Sequence, residues 1–230
     1  MKKFFVAIIL LLSLVACEDK NVQDKDKIKI ENIKSKVDFD GDGIDDYTEF
    51  VEGARKDAKN HPRYNPAYVS EDNGYPDKFN GVCTDVVWRA FKEAGYSLRN
   101  MLNKDIEKNR EWYEGTLDNS DENIDFRRVI NLRPFFEKYA ITLEKKLENP
   151  KEWQPGDIVI FNPDDFHIGI LSDKRDENGF PLVFHNMGQI NREEKYLKEY
   201  NVSGHFRFDA TKVPDEVLIK WQDGEDGNKN

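Results

Sequence analysis

The sequence predicts an α+β fold, because helical periodicity dominates its first part and short strand patterns dominate its second part. Up to about residue 139, apolar residues recur at intervals of three and four, which is typical of amphipathic helices. After residue 153 the chain changes to short apolar runs separated by turn residues, which predicts antiparallel strands with short connections. We therefore expect N-terminal helices that pack on one side of a C-terminal antiparallel sheet.

The composition indicates one sizeable folded domain and argues against a nucleic-acid partner. The 230 residues include 45 acidic and 35 basic side chains, and this excess of acid disfavours binding to phosphate backbones. Nine tyrosines and fifteen phenylalanines are too many for a disordered chain. The length that remains after an export signal suffices for a single domain with its own core.

The first residues have the pattern of an export signal that ends in a lipidation site. Two lysines precede an apolar run at 4–12, which is too short to span a membrane. Residues 14–17 (LVAC) resemble the bacterial lipobox, which implies cleavage after residue 16 and a lipid on Cys17. The alternative is an ordinary secreted protein with an incidental cysteine. We expect a signal peptide at 1–16 and a polar tether at 17–37 that holds an exported protein on a bacterial membrane, outside the cytoplasm.

Residues 38–49 match the twelve-residue calcium loop of EF-hands. Carboxylates stand at positions one, three, five, nine and twelve, and Gly43 occupies position six, where the loop turns sharply. These carboxylates repel one another unless a cation lies among them, and Ca²⁺ suits such hard oxygens. The alternative is an acidic turn that caps a helix without metal. We expect a structural Ca²⁺ and no organic cofactor. The expected ligands of the ion are Asp38, Asp40, Asp42, the Ile44 carbonyl oxygen, Asp46 and Glu49.

Helical segments are expected along the first part of the chain. The helix after the calcium loop covers about 45–59 and ends at an Asn-His-Pro sequence. The next helix begins near Cys83, with Asn80 or Gly81 as its N-cap, and Gly95 stands just after its end. A polar stretch at about 101–112 and the segment 132–139 also have helical spacing.

Strands are expected in the second part of the chain, where short apolar runs alternate with turns. An Asn-Gly turn at 177–179 joins the second strand to the third and makes them a hairpin. Residues 211–230 then form a C-terminal tail. The expected strands cover 158–161, 167–172, 182–186 and 204–208.

Cys83 is a candidate nucleophile because of its place in the opening turn of a helix. The free backbone N–H groups and the dipole of a helix N-terminus favour a thiolate over a thiol. If Cys17 carries lipid, Cys83 has no disulfide partner, and an unpaired cysteine in an exported protein usually has a function. The alternative is a small buried apolar residue, which is what most lone cysteines are.

Two histidines supply a candidate base and a group to orient it. His167 begins one predicted strand and His185 ends the next, so a hairpin brings both imidazoles to the same sheet edge. With Cys83 on a helix that packs against this sheet, the three residues can form a Cys–His–His triad. The alternatives are two unrelated histidines at strand ends, or a zinc site built from the same three residues.

Several segments in fixed order resemble a bacterial family known as domain of unknown function 1287. This family is in turn similar to the papain-like superfamily, which includes the NlpC-type cell-wall peptidases. The resemblance extends over about residues 50–208. At two positions, Phe126 and Ile130, the family more often has His and Pro. The matching segments are 81–86 (GVCTDV), 123–129 (NIDFRRV), 155–159 (PGDIV), 167–170 (HIGI), 181–186 (PLVFHN) and 203–207 (SGHFR).

The resemblance implies a papain-like domain at 50–210 with an assigned catalytic set. By this resemblance Cys83 is expected to be the nucleophile, His167 its general base, and His185 the residue that orients the base. Asn186 is a second candidate for the orienting role, because neighbours on a strand point to opposite faces and only one of the two can face the site. The oxyanion hole is expected from the Cys83 backbone N–H and a further donor, for which Tyr68 is the candidate.

Three charged residues near these motifs have open roles. Asp85, Arg127 and Arg128 either bind substrate or brace the site, and an arginine pair that only holds the fold through carboxylates is an equal alternative. His205, in a strand shared with the family, is expected to be structural.

The sequence thus predicts a lipid-anchored thiol hydrolase of the cell envelope with a structural Ca²⁺ site. The superfamily resemblance implies amide bonds in peptidoglycan peptides as substrates, since a membrane tether holds such a domain near the cell wall. Two alternatives stay open. One is a non-catalytic, calcium-stabilised surface module that binds a ligand, and the other is a thiol acyltransferase or esterase with the same triad.

Overall fold

The computed structural model describes residues 30–113, 119–162 and 166–227, and it confirms the α+β fold. The expected signal peptide, the lipidated Cys17 and most of the expected tether lie outside these residues. In chain order the described elements are α1 (Asp46–Asn60), β1 (Arg63–Tyr64), β2 (Asn80–Gly81), α2 (Cys83–Glu93), α3 (Leu98–Lys108), α4 (Val129–Tyr139), β3 (Ala140–Thr142), β4 (Ile158–Phe161), β5 (His167–Arg175), β6 (Pro181–Phe184), β7 (Glu193–Glu194) and β8 (Val202–Phe208).

The main sheet is antiparallel, as the sequence predicts. Its strands lie in the order β3-β8-β4-β5-β6-β7, and each neighbouring pair runs antiparallel. β1 and β2 form a separate, parallel pair. The sequence does not predict β1, β2, β3 and β7, because segments of two or three residues are too short to have a period.

Both faces of the central strands are buried, which explains why these strands have continuous apolar sequences. Ile158, Ile160, Ile168 and Ile170 face the helices and belong to the larger core. The intervening residues face a second, smaller core. That smaller core contains Trp153, Val159, Phe161, Leu171, Phe180, Val183, Tyr196, Leu197 and Val202. The histidine side chains described below belong to the second face.

Helix α2 packs on both α1 and β5, and its start differs from the expectation. Its N-cap is Val82, whereas the sequence predicted Asn80 or Gly81. Those two residues are extended because they pair with β1. The Val82 N–H donates to the Asp85 carboxylate at 2.7 Å. The predicted end is confirmed, since Gly95 has a φ of 78°.

Other element boundaries also differ from the expected ones: α3 covers Leu98–Lys108 and not 101–112, β5 extends to Arg175, and β8 begins at Val202. Helix α4 begins at Val129, three residues before the expected start at 132. Strand β6 ends at Phe184, so that His185 and Asn186 follow the strand and do not belong to it. Local geometry at element ends depends on tertiary neighbours, which a sequence pattern does not contain.

The described residues outside the 50–210 domain contact it. The backbone N–H of Ile33 donates to Gln154 at 3.0 Å. In the expected C-terminal tail, Val213 and Val217 are buried, and Trp221 stacks on Trp88 with ring centroids 6.2 Å apart. No helix in the described ranges has the length and apolar character that crossing a membrane requires.

Candidate active site

Cys83 is the first residue of α2, and its thiol lies against the start of β5. The backbone N–H groups of Ile168, Thr84 and Cys83 itself lie near the sulfur, and each of these lowers the pKa of the thiol. Burial is the larger effect and raises the pKa of Cys83 to about 11. The thiol is therefore protonated at neutral pH. Ile168 directly follows His167, so the sulfur lies near the backbone of the residue expected to be its base.

His167 and His185 are in direct contact. His167 Nε2 and His185 Nδ1 are 2.9 Å apart, and the two rings are nearly perpendicular. Tyr196 packs against both rings. Burial lowers the pKa of His167 to about 4. Burial, followed by the charges of His167 and Arg192, lowers the pKa of His185 to about 3. Both imidazoles are consequently neutral at neutral pH and can accept a proton.

Asn186, the second candidate for the orienting role, has its side chain elsewhere. Its amide nitrogen donates to the carbonyl oxygens of Gly81 at 3.1 Å and Pro62 at 3.3 Å. Its amide oxygen accepts from the Gly188 N–H. It therefore ties the loop after β6 to the chain just before Cys83. Of the two adjacent residues, His185 is the one that contacts His167.

Two polar residues that the sequence analysis missed surround His185. Glu194 Oε1 lies 3.1 Å from His185 Nε2. The amide nitrogen of Gln189 lies within 3.2 Å of both ring nitrogens and donates to the His185 carbonyl oxygen at 3.0 Å. Gln189 lies in the irregular segment after β6, and Glu194 lies in the two-residue strand β7. No periodic signal in the sequence could have identified them.

Asp85 and Arg127 form a buried ion pair. Arg127 donates to both Asp85 oxygens at 3.1 Å, and its guanidinium also donates to the Ala67 and Asn65 carbonyl oxygens. Asp85 accepts in addition from the Trp88 indole at 2.7 Å. These contacts hold the loop after β1 against α2. The geometry thus favours the bracing role among those left open for this pair.

A cleft of about 350 Å³ opens at Cys83. Its walls are mainly apolar, and Arg128 is the charged residue with a half-exposed side chain there. The lining residues are Tyr64, Pro66, Val82, Cys83, Ile124, Arg127, Arg128, Val129, Ile130 and Phe166.

Tyr68, the expected second oxyanion donor, does not line this cleft. Its hydroxyl donates to Asp121 at 3.0 Å, and its ring lines a separate surface depression. Tyr64, on β1, lines the cleft beside Cys83. Burial and then the charge of a Cys83 thiolate raise the pKa of Tyr64. Tyr64 is therefore better placed as a hydroxyl donor, and the sequence analysis overlooked it because β1 has no strand pattern.

The zinc alternative is disfavoured by the same geometry. The two histidine nitrogens point at each other at hydrogen-bond distance, whereas two nitrogens bound to one zinc both point at the ion. Within the described ranges, three or more metal-ligating groups come within 4.8 Å of one another at Asp38, Asp40 and Asp42, and not at Cys83.

The acidic loop at 38–49 has a turn geometry suited to a cation. Gly41 and Gly43 have positive φ angles, and Asp38 accepts hydrogen bonds from the backbone of both. Glu49 is buried, and its Oε2 has no hydrogen-bond partner among the residues that the structure describes. Burial and then the charges of Asp40 and Asp42 raise the pKa of Glu49 to about 8.

Asp46, the expected ninth-position ligand, is already engaged. Its two oxygens accept from the Phe39 N–H at 3.0 Å and from the Tyr96 hydroxyl at 2.6 Å. Phe39 also stacks on Tyr96 with centroids 4.1 Å apart. These contacts join the acidic loop to the end of α2. Asp46 therefore braces the loop through hydrogen bonds at both of its carboxylate oxygens.

The residues around Cys83 have the parts needed for nucleophilic catalysis with a neutral base. The described residues show no hydrogen bond between the Cys83 sulfur and His167, and catalytic hydrogen bonds often tighten only when substrate binds. A protonated thiol beside a neutral imidazole can transfer its proton as the sulfur attacks. This differs from a thiolate–imidazolium pair that exists before substrate arrives.

Comparison with known proteins identifies a matching family model and a similar protein. A family model described as "Domain of unknown function (DUF1287)" matches residues 51–208, which include Cys83, His167 and His185. The chain is 37% identical over 164 residues to the "Uncharacterized protein YijF" of Escherichia coli (strain K12). That alignment covers 69% of this chain and 80% of the relative. No solved structure matches the chain.

Proposed function

Because the chain belongs to the family described as domain of unknown function 1287, we propose that it is a cysteine hydrolase in which Cys83 is the nucleophile and His167 the general base. One observation carries the proposal. The Cys83 thiol lies at a helix N-terminus against the first residues of β5, where His167 contacts a second neutral histidine. A nucleophile, a base and a group that orients the base are the parts that thiol hydrolysis requires.

The proposed reaction proceeds in two balanced steps. The Cys83 sulfur attacks a substrate carbonyl carbon as its proton passes to His167 Nδ1, and the Cys83 backbone N–H and the Tyr64 hydroxyl stabilise the oxyanion. The carbon–nitrogen bond then breaks, and the His167 imidazolium returns its proton to the leaving amine. In the second step His167 takes a proton from water, which attacks the thioester and releases the acid and the free thiol.

The proposed substrates are amide bonds in peptidoglycan peptides. This part of the proposal rests on the similarity of the family to NlpC-type papain-like peptidases and on the expected lipid anchor at Cys17. The cleft beside Cys83 is compatible with it, because an open, mainly apolar groove with two arginines in its lining, of which Arg128 is half-exposed, suits an extended peptide that carries a carboxylate. The protein would then act at the membrane surface, outside the cytoplasm.

A peptidoglycan digest tests this function. The wild-type protein and its Cys83→Ala and Cys83→Ser variants are incubated with peptidoglycan, and mass spectrometry identifies the released fragments. We expect new peptide termini with the wild type and none with either variant, because neither side chain supplies a thiol. Equal products from all three proteins, or no products from any of them, would contradict the proposal.

The same digest separates the open alternatives. Adding a primary amine gives new amide products if the enzyme is an acyltransferase, and it leaves the products unchanged if water is the acceptor. A binding module gives no products. It sediments with peptidoglycan equally well as wild type and as Cys83→Ala.

We further propose that the loop at 38–49 holds a structural Ca²⁺. The observation that favours it is the buried Glu49 oxygen without a partner, at the position where such loops have their bidentate ligand. Asp38, Asp40 and Asp42 would supply the other carboxylate oxygens, and the Ile44 carbonyl group a further one. Because Asp46 joins this loop to Tyr96, a bound ion would stabilise the contact between α1 and the end of α2.

Thermal unfolding with and without EDTA tests the calcium proposal. We expect EDTA to lower the melting temperature of the wild type, since an ion that binds only the native state adds about 2.7 kcal/mol at a concentration 100 times its Kd. Asp38→Ala and Glu49→Gln should remove this sensitivity. The control is Glu52→Gln, which changes an exposed glutamate one turn further along α1 and should leave the EDTA effect intact. An unchanged melting curve of the wild type in EDTA would count against the site.

A further inference from the structure

Glu194, His185 and His167 form a continuous chain of polar contacts that leads towards Cys83. Glu194 Oε1 is 3.1 Å from His185 Nε2, and His185 Nδ1 is 2.9 Å from His167 Nε2. The other ring nitrogen of His167, Nδ1, makes no hydrogen bond within the described ranges. This series of contacts therefore ends at His167 Nδ1, the atom that acts as the base in the proposed reaction.

Strand pairing explains how Glu194 reaches His185. β7 pairs with β6 so that Glu194 lies opposite Val183, which faces the second core. His185 follows two residues later, so it is a diagonal neighbour of Glu194 on the same face. The adjacent Glu193 lies opposite Phe184, and it contacts Arg55, Ser172 and Lys174. Two successive glutamates thus have separate environments.

The contacts of His185 specify which of its nitrogens carries the proton. A neutral imidazole has one N–H and one bare nitrogen. An ionised Glu194 only accepts, so its contact with His185 favours a proton on Nε2 and leaves Nδ1 bare. His167 then donates from Nε2 to that bare nitrogen. Its own Nδ1 is left bare, which is the form that can take the thiol proton.

Gln189 does not distinguish the two ring nitrogens of His185. Its amide oxygen accepts from the Met187 N–H at 2.7 Å and from Arg192 at 3.1 Å, so its amide nitrogen faces His185. That amide nitrogen lies 3.1 Å from Nδ1 and 3.2 Å from Nε2, so it can donate to whichever of them is bare. The choice of tautomer therefore depends on Glu194, because a bare Nε2 would face the Glu194 carboxylate and this contact would be repulsive.

We propose that Glu194 is a positioning residue that sets the tautomer of His185 and, through it, the tautomer of His167; this inference rests on the proposed function of Cys83 and His167. The site is then a chain of four side chains, Cys83, His167, His185 and Glu194, of which the first two act on the substrate. Glu194 acts through two histidines and touches no reacting atom.

Nuclear magnetic resonance of ¹⁵N-labelled histidine tests the inference without reference to any substrate. Long-range ¹H–¹⁵N correlations distinguish protonated from bare ring nitrogens. In the wild type near neutral pH we expect Nε2 protonated and Nδ1 bare in both His167 and His185. In Glu194→Ala we expect both rings to shift towards the Nδ1-protonated form. Glu194→Gln retains an acceptor oxygen and should preserve the wild-type pattern.

The matched control is Glu193→Ala, which removes the neighbouring carboxylate of β7 and should leave both tautomers unchanged. If hydrolysis is measurable, Glu194→Ala should lower kcat by roughly tenfold to hundredfold, below the effect of about 10⁴-fold for the orienting group of a Ser–His–Asp triad. Its KM should change little.

Two results would overturn the inference. One is a wild type with His185 protonated at Nδ1, and this result needs no variant to fold. The other is a folded Glu194→Ala variant with unchanged tautomers in both rings. If the tautomers behave as expected but no Cys83-dependent hydrolysis occurs, the tautomer assignment stands and the hydrolase proposal fails.

Discussion

Two buried histidine clusters, one around His205 and one around His167 and His185, differ in how many ring nitrogens have a polar partner. His205 donates or accepts at both nitrogens, with Asp157 at 3.0 Å and the Glu144 carbonyl oxygen at 2.8 Å. Trp153 stacks on its ring at 4.0 Å, and Arg207 donates twice to Asp157. His167 contacts a polar partner through one nitrogen only, within the described residues. A histidine with both nitrogens satisfied braces the fold, whereas one with a bare nitrogen is available for proton transfer.

The largest expected effect separates the two clusters by activity. His167→Ala should lower kcat/KM for peptidoglycan peptides by about 10²- to 10⁴-fold, because it removes the general base. The protein should remain folded, since His167 has one hydrogen bond to lose. Fragment release and circular dichroism measure the two effects. A folded His167→Ala protein with full activity would show that His167 is not the general base.

The second prediction concerns stability. Asp157→Ala leaves Arg207 and His205 without their shared carboxylate, and breaking a buried ion pair in this way costs about 3–5 kcal/mol. Urea unfolding measures the loss in the free energy of unfolding. Activity per folded molecule should stay close to that of the wild type. A large loss of activity without a loss of stability would show that the His205 cluster is not only structural.

The third prediction is a pH dependence of stability that comes from the His167 cluster. The pKa of His167 is about 4 in the folded protein, so the unfolded chain, with a pKa near 6.5, binds more protons between these values. This stabilisation is complete above about pH 6.5, is lost as the pH falls towards 4, and amounts to roughly 3 kcal/mol.

Urea unfolding near neutral pH and at about pH 4.5 measures this dependence. His167→Gln should remove a large part of it, because glutamine does not titrate. If the wild type and this variant lose equal stability on acidification, His167 is not held neutral by burial.

The smallest expected effect compares two glycines, one beside each cluster. A methyl group at Gly169 would stand 2.6 Å from the Val183 side chain and 2.7 Å from the Phe184 carbonyl oxygen, so β6 would have to move away from β5. At Gly204 the nearest atom, at 2.6 Å, belongs to the Phe206 side chain, which can shift. Gly169→Ala should therefore cost about 1–3 kcal/mol and also lower activity, and Gly204→Ala should cost less. Equal losses for both, by urea unfolding, would contradict this difference.

Parts of the candidate site follow from the sequence, and parts do not. The contact between His167 and His185 is predictable, because a hairpin places the start of one strand beside the end of the next. Glu194 and Gln189 are not predictable, since they lie in an irregular segment and a two-residue strand. Tyr64 was missed in favour of Tyr68 for a similar reason. The pairing of β1 with β2 determines which tyrosine lies beside Cys83, and two-residue strands have no pattern.

By itself, the sequence determined the α+β class, the helix that begins at Cys83, the antiparallel strands and the acidic loop. These features depend on local periodicity, turn residues and ligand spacing, which are properties of neighbouring positions along the chain. The tertiary structure alone decided that Asp85 pairs with Arg127, that Asn186 faces away from His167, and that Glu194 reaches His185. Such contacts join residues far apart in sequence, and their geometry depends on how strands and helices pack. No single segment contains that information.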